Sequence, residues 1–219
     1  MNSSRYAPAL GLAIGLWLAT AGVVAQETAE TKLPEPDRTN GKPLMQALNE
    51  RHSTRALKPD PLPAEVLSNL LWAAWGINRP DSGRRTAPSA VNWQEIDVYL
   101  LTADGVSVYD ATRHSLKLLT REDVRGGVGR LRYIASAPLN LIYVADLTKM
   151  TEDIPDHERL FLSAAGAGHI SQNVYLYCAS QGLGAVVYHR IDHEGLGKAL
   201  ELRPGQRIIL GQSVGYPRK

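Results

Sequence analysis

Apolar and polar positions along the chain change their period several times, and each change marks an element. In Pro63-Ala-Glu-Val-Leu-Ser-Asn-Leu-Leu-Trp-Ala-Ala-Trp-Gly-Ile the residues Val66, Leu67, Leu70, Leu71, Ala74 and Trp75 recur at helical spacing, and Gly76 closes the run. That stripe predicts an amphipathic helix lying on a core. A shorter helix is expected from Pro43 to about Arg51, with Pro in its first turn and Leu44, Ala47 and Leu48 on one face. The period then drops to two. Ile96-Asp-Val-Tyr-Leu-Leu and Val106-Ser-Val-Tyr, joined through Thr102-Ala-Asp-Gly105, predict a β-hairpin. Residues 113–120 form a short polar and apolar stretch without a clear period, and a helix of unfixed start is expected over about 121–135. Leu139–Ala145 reads as a buried strand, and a long helix over about 157–181 follows an acidic turn at 151–156. A strand at 185–188, a helix at 193–201 and a strand at 207–210 complete the pattern. Without a strict βαβ rhythm, the expected class is α+β, with a mixed or antiparallel central sheet flanked by helices.

The two ends of this pattern read differently. Arg5 precedes the apolar run Leu10–Leu18, and small residues lead on to Val23-Val24-Ala25, the shape of a secretory cleavage site before Gln26. Residues 1–25 are therefore expected to be a signal peptide cleaved after Ala25. An uncleaved anchor is the alternative, because residues 7–25 carry no charge over a length that can span a bilayer. Either way the location expected is periplasmic or secreted. Residues 26–42 are polar, hold two prolines and read as a flexible leader, which leaves 43–219 as one folded domain.

Composition narrows the partners. Gly and Pro together make up 32 of the 219 residues, well under the roughly 25–30% of low-complexity chains. A formal charge of +2 with no basic block offers no footprint for nucleic acid. The single Cys178 has no partner for an internal disulfide. It shares a helical face with Ile170, Val174 and Tyr177, and so reads as a buried structural thiol.

Three motifs that suggest chemistry fail on position. Gly211-Gln-Ser-Val-Gly215 matches a nucleophile elbow, yet only four residues follow and no histidine lies beyond it. His189 and His193 stand four apart, but the first follows a strand, so the rings need not converge on a metal. The clusters Gly126-Gly127-Val-Gly129 and Gly182-Leu-Gly184 lack the spacing of a dinucleotide-binding turn.

Two polar motifs remain. Arg51-His52-Ser53-Thr54-Arg55 puts two guanidinium forks and two hydroxyls within five residues, a set suited to one compact anion. A solvated basic turn at a helix C-terminus accounts for it equally. In the long connection over residues 78–92 and just beyond it, Arg84-Arg-Thr-Ala-Pro88-Ser89-Ala90-Val-Asn92-Trp-Gln94 supplies amides that both donate and accept, as a flat heteroaromatic ring would require.

Together these motifs resemble the FMN-dependent nitroreductase superfamily, in which an R-x-S-x-R/K segment after the first helix holds the flavin phosphate and a P-S-x-x-N-x-Q segment lies along the flavin ring. Arg51–Arg55 and Pro88–Gln94 occur in that order, and Arg84-Arg-Thr-Ala-Pro-Ser-Ala is similar to the azoline-dehydrogenase branch. The resemblance extends over about residues 43–219. Gly182–Arg190 looks like the strand whose end sets His189 and Arg190 beside the flavin, and Ile209–Lys219 looks like the closing strand and basic tail, with Arg218 at the phosphate. One departure is that the Lys or Asn common on the flavin N1/O2 side has no clear counterpart here; only Arg130 and Arg132 lie nearby.

The resemblance implies an FMN-dependent oxidoreductase that reduces small acceptors such as nitroaromatics or quinones by ping-pong electron or hydride transfer. It also implies a homodimer with each flavin near the subunit interface, for which Trp72, Trp75, Tyr175 and Tyr177 are candidate apolar contacts. The electron donor is either NAD(P)H or, for an exported protein, a periplasmic redox partner or membrane quinol. An FMN-dependent dehydrogenase or oxidase, and a non-catalytic periplasmic ligand-binding module, are the alternatives. The expectation shared by all the flavin readings is that the two motifs fold together around one coenzyme, the flavin itself doing the electron transfer.

Overall fold

The computed structural model describes residues 1, 29–151 and 153–218; apart from its first residue, the expected signal peptide lies outside them, as does its cleavage site. Among the described residues nine strands are formed: β1 (Glu30–Lys32), β2 (Ile77–Arg79), β3 (Arg84–Arg85), β4 (Ile96–Thr102), β5 (Gly105–Asp110), β6 (Ser115–Thr120), β7 (Leu139–Asp146), β8 (Gly184–Tyr188) and β9 (Gln206–Gly215). Five α-helices accompany them: α1 (Leu44–Glu50), α2 (Ala64–Trp75), α3 (Arg132–Ser136), α4 (Asp156–Gln181) and α5 (His193–Ala199). Seven strands make one sheet in the order β1-β6-β5-β4-β7-β9-β8, every neighbouring pair antiparallel. β2 and β3 form a separate small hairpin inside the long connection.

The sheet is buried on both faces. Against one face pack α2 and α4, whose Leu70, Leu71, Ala74, Trp75, Ala167, Ile170 and Val174 meet Val98, Leu100, Leu141 and Tyr143. The other face is covered by α3, α5 and the turn before α3, through Ile134, Leu196, Leu200 and Val128 against Leu101, Ile142, Val144 and Tyr188. All eight residues of β7 are buried, as a strand with cover on both sides demands. Cys178 is buried on the α4 face, and burial pushes its thiol pKa up, which keeps it unreactive.

Four expectations need correction. Residues 30–32 of the leader pair with β6 as an edge strand, and Leu33 enters the core, because a three-residue strand offers almost no sequence signal. Residues 115–120 are a strand whose inner face is only partly apolar. The helix expected over 121–135 is reduced to a 3-10 turn at Arg125–Gly127 and the single turn of α3, since Gly126, Gly127 and Gly129 break helical continuity. The last strand runs on to Gly215. Ser213 therefore lies inside it, fully buried and donating to Asn140 Oδ1 at 2.6 Å, which removes the nucleophile-elbow reading structurally as well.

Candidate functional site

After α1 the chain turns along the outer edge of β8. Ser53 forms a parallel bridge with Ala185, and the Thr54 N–H donates to the Ala185 carbonyl at 2.8 Å. This approach is close. A Cβ on Gly184 would stand 2.9 Å from the Thr54 Cβ, so glycine is required there. The C-terminal tail then returns beside the same segment, with the Arg218 N–H donating to the Ala56 carbonyl at 2.8 Å. Arg51, Ser53, Arg55 and Arg218 are thus gathered at one sheet edge.

Two tyrosines lie beneath this group. The Arg51 guanidinium sits 5.3 Å above the ring of Tyr175 in α4. The Tyr175 hydroxyl is 2.9 Å from Ser53 Oγ and accepts the Val187 N–H at 2.8 Å. Burial pushes the Tyr133 hydroxyl up, and the positive charge of Arg55 beside it works in the opposite direction. The Tyr133 ring meets Tyr188 edge-on at 6.4 Å. Among the described residues Arg51, Arg55, Arg190 and Arg218 have no carboxylate partner. His52 is the exception within its motif, because its Nδ1 faces the Glu50 carbonyl at 2.7 Å and its ring is exposed.

Beyond Tyr188 the chain opens into a cleft of about 1030 Å³. One wall carries His189, Arg190 and His193, and the other carries Gly126, Gly129 and Arg130. The walls touch at their base, where the Asp192 N–H donates to the Val128 carbonyl at 2.9 Å. A Cβ on Gly129 would come within 2.6 Å of the Arg190 carbonyl oxygen. His189 ends β8 and His193 opens α5, and among the described residues no group of three or more His, Cys, Asp or Glu gathers to hold a metal.

The second motif is a strained loop. Val91, Asn92 and Gln94 adopt φ values of 49°, 61° and 52°, an uncommon conformation and a costly one for a β-branched valine. Side chains hold it in place. Ser89 Oγ accepts the Gln94 N–H and donates to Glu95 Oε2, both at 2.8 Å. Arg85 stacks on Trp75 and donates to Gln94 Oε1 at 2.7 Å, while Gln94 Nε2 donates to the Gly83 carbonyl. Ser89 and Gln94, expected to reach toward a flavin ring, thus spend their side-chain groups on the loop. Asn92 Oδ1 also accepts from Gln94 Nε2 at 3.1 Å, and the Ser89 and Ala90 carbonyls accept the Asn92 and Trp93 N–H groups, so the Asn92 side-chain NH2 is the polar group this part of the loop has left to present.

Within one chain the two motifs do not meet. Ser53 lies opposite Ala185, which pairs through Val214 with Leu139, whereas the loop enters β4 at Ile96 opposite Ala145. At about 3.4 Å per residue, the stretch of β7 from Leu139 to Ala145 separates them by about 20 Å. Helix α4 gives an independent ruler, since Tyr175 touches Ser53 while Gly166 faces Glu95; that rise is about 14 Å. A single coenzyme reaching both motifs within one chain would have to span this distance.

Tyr175 and Tyr133 were not singled out as site residues by their positions in the sequence. The available signal was a buried helical tyrosine, whose hydroxyl must find a partner. Trp75 and Tyr175, candidates for intersubunit contact, are buried within the chain; Tyr177 is partly buried against the same core, and Trp72 is partly buried beneath the Arg38 guanidinium. The exposed large apolar residues are instead Leu44, Met45 and Leu48 of α1, Phe161 of α4, and Val91 and Leu119.

Comparison with known proteins gives consistent results. The model of the nitroreductase family matches residues 48–216. A protein of Methanocaldococcus jannaschii classed as a nitroreductase is 31% identical over 170 residues, covering 73% of this chain and 83% of its own length. A crystal structure from Ralstonia eutropha JMP134, also classed as a nitroreductase, superposes with a TM-score of 0.82 at 43% identity, over 87% of this chain and 90% of that one. The NADPH:FMN oxidoreductase of Vibrio harveyi, complexed with NAD+, shares the fold with a TM-score of 0.60 at 18% identity, over 80% and 69% of the two chains.

Proposed function

From the premise that this chain belongs to the nitroreductase family and is an oxidoreductase of that type, we propose that it holds FMN and reduces small acceptors such as nitroaromatics or quinones. The observation that carries the cofactor is that Arg51, Arg55 and Arg218, which have no carboxylate partner among the described residues, come together with Ser53 at the β8 edge. A dianionic phosphate fits such a donor set, and a planar fork binds it with directed, charge-assisted bonds. FMN, when bound there, would supply the hydride and electron transfer chemistry of a ping-pong reaction.

The chain's own residues bind and orient. Arg51, Arg55 and Arg218 neutralise the phosphate, and Ser53 adds a neutral hydrogen bond. His189 and Arg190 bring backbone groups to the ring end of the cleft. We read the loop from Pro88 to Gln94, about 14–20 Å from Ser53 within one chain, as serving the site of a second copy, so that a homodimer would complete two equivalent sites. The exposed apolar residues of α1, together with Phe161 and Val91, support such an interface.

NAD(P)H is the donor class supported by the Vibrio harveyi relative. Export belongs to the same proposal on the strength of the N-terminal pattern, and a periplasmic reductant then replaces the nucleotide. The test bypasses the donor. Protein-bound flavin reduced with dithionite is expected to recover its visible absorbance when a nitroaromatic or quinone is added without oxygen. Failure with every acceptor, alongside rapid reoxidation by oxygen, would assign it to the oxidases.

A further inference from the structure

We infer that Tyr175 is a positioning residue that sets the grip of Arg51 and Ser53 on phosphate; this rests on the reading of those two residues as phosphate ligands. The residue is 7% exposed and comes from α4, yet it reaches two other pieces of chain, the segment Arg51–Ser53 and β8. The ring underlies the Arg51 guanidinium at 5.3 Å. The hydroxyl takes the Val187 N–H at 2.8 Å and lies 2.9 Å from Ser53 Oγ.

The direction of this hydrogen-bond chain follows from donor inventory. Val187 can only donate through its N–H, and β8 is the sheet edge, so this N–H has no strand partner on that side. A tyrosine hydroxyl that accepts there keeps its own proton to give. Phosphate is an acceptor, so a bound phosphate draws the Ser53 proton outward. The polar sequence then runs Val187 N–H to Tyr175 Oη, Tyr175 O–H to Ser53 Oγ, and Ser53 O–H to the anion. Each bond polarises the next in the same sense. Meanwhile the ring face restricts Arg51 to the side from which its fork meets the same anion. Tyr175 touches neither phosphate nor flavin; it acts through both ligands at once.

Tyr175→Phe keeps the ring under Arg51 and removes the relay. The experiment titrates FMN and riboflavin separately into apoprotein of wild type and variant, because the two share a ring system and differ in the phosphate. Wild type is expected to prefer FMN, and the variant to lose about tenfold in FMN affinity with riboflavin affinity unchanged. A purely structural role lowers both affinities together, and that result overturns the inference, as does an unchanged preference. A wild type that fails to distinguish the two ligands overturns the phosphate reading itself, and the inference with it. Should the variant not fold, the wild type still decides. The amide resonance of Val187 is expected to shift saturably with inorganic phosphate and not with chloride at equal ionic strength, and an amide blind to phosphate contradicts the relay.

Discussion

At the scale of single residues, the account turns on which charges already have partners. Arg125 and Arg159 look as available in the sequence as Arg55, but the folded chain pairs them with Asp123 and Asp156. Arg55 has no such partner among the described residues. Arg55→Ala is expected to weaken FMN binding by about 10- to 100-fold, the range for losing a hydrogen bond to a charged group. Arg121→Ala, an exposed residue remote from the β8 edge, is expected to leave it unchanged. Flavin retained after gel filtration of the two variants measures the difference. Residue type and spacing mark Arg51, Ser53 and Arg55 only as a set suited to a compact anion, and their role toward a flavin phosphate rests on the resemblance. The sequence could not reveal that Ser89 and Gln94 satisfy each other, because that depends on the positive φ angles of the loop and on Glu95 standing fully buried behind it.

Elements were legible where one period persists. Helices α2 and α4 and strands β4 and β7 follow their apolar patterns closely, whereas β1, β6 and α3 draw their stability from neighbours and leave little local trace. β1 is the clearest case, tied down by contacts from elsewhere in the chain. His114, at the turn between β5 and β6, reaches the Pro34 carbonyl at 3.1 Å, Ser68 Oγ at 2.7 Å and the Tyr109 hydroxyl at 2.9 Å. It therefore joins the N-terminal strap to α2 and the sheet. Burial lowers its pKa below the ordinary 6.5, against a smaller opposing pull from the Pro34 carbonyl and Glu35. The unfolded chain then takes up the proton more readily, so this contribution to stability is complete above about pH 6.5 and declines as the pH falls toward the folded value. Urea midpoints at pH 7.5 and 5.5 are expected to differ more for wild type than for His114→Asn. Asparagine is chosen because it tolerates the φ of 49° at this position.

On the scale of the whole molecule, the antiparallel sheet with helices on both faces was predictable as α+β, but its order was not. Strand order and register decide the site's architecture, since β8 is an edge strand joined at the Leu139 end of β7, while the loop before β4 enters the middle of the sheet at the Ala145 end. A site built across two copies gives a distinctive mixing result. Arg55→Ala and Asn92→Ala protomers are each expected to lose flavin as homodimers. Co-expressed, they form heterodimers in which one site pairs an intact Arg55 with an intact Asn92. Random pairing then restores about a quarter of wild-type flavin occupancy. No recovery, with mixed dimers verified by mass, would return both motifs to a single chain.

The binding and mixing expectations depend on the chain holding FMN. The direct measurement is the visible spectrum and flavin content of the purified protein, before and after incubation with added FMN. The account predicts a yellow protein with one FMN per chain, released as FMN on denaturation. A folded protein that is colourless and takes up no added FMN would contradict it.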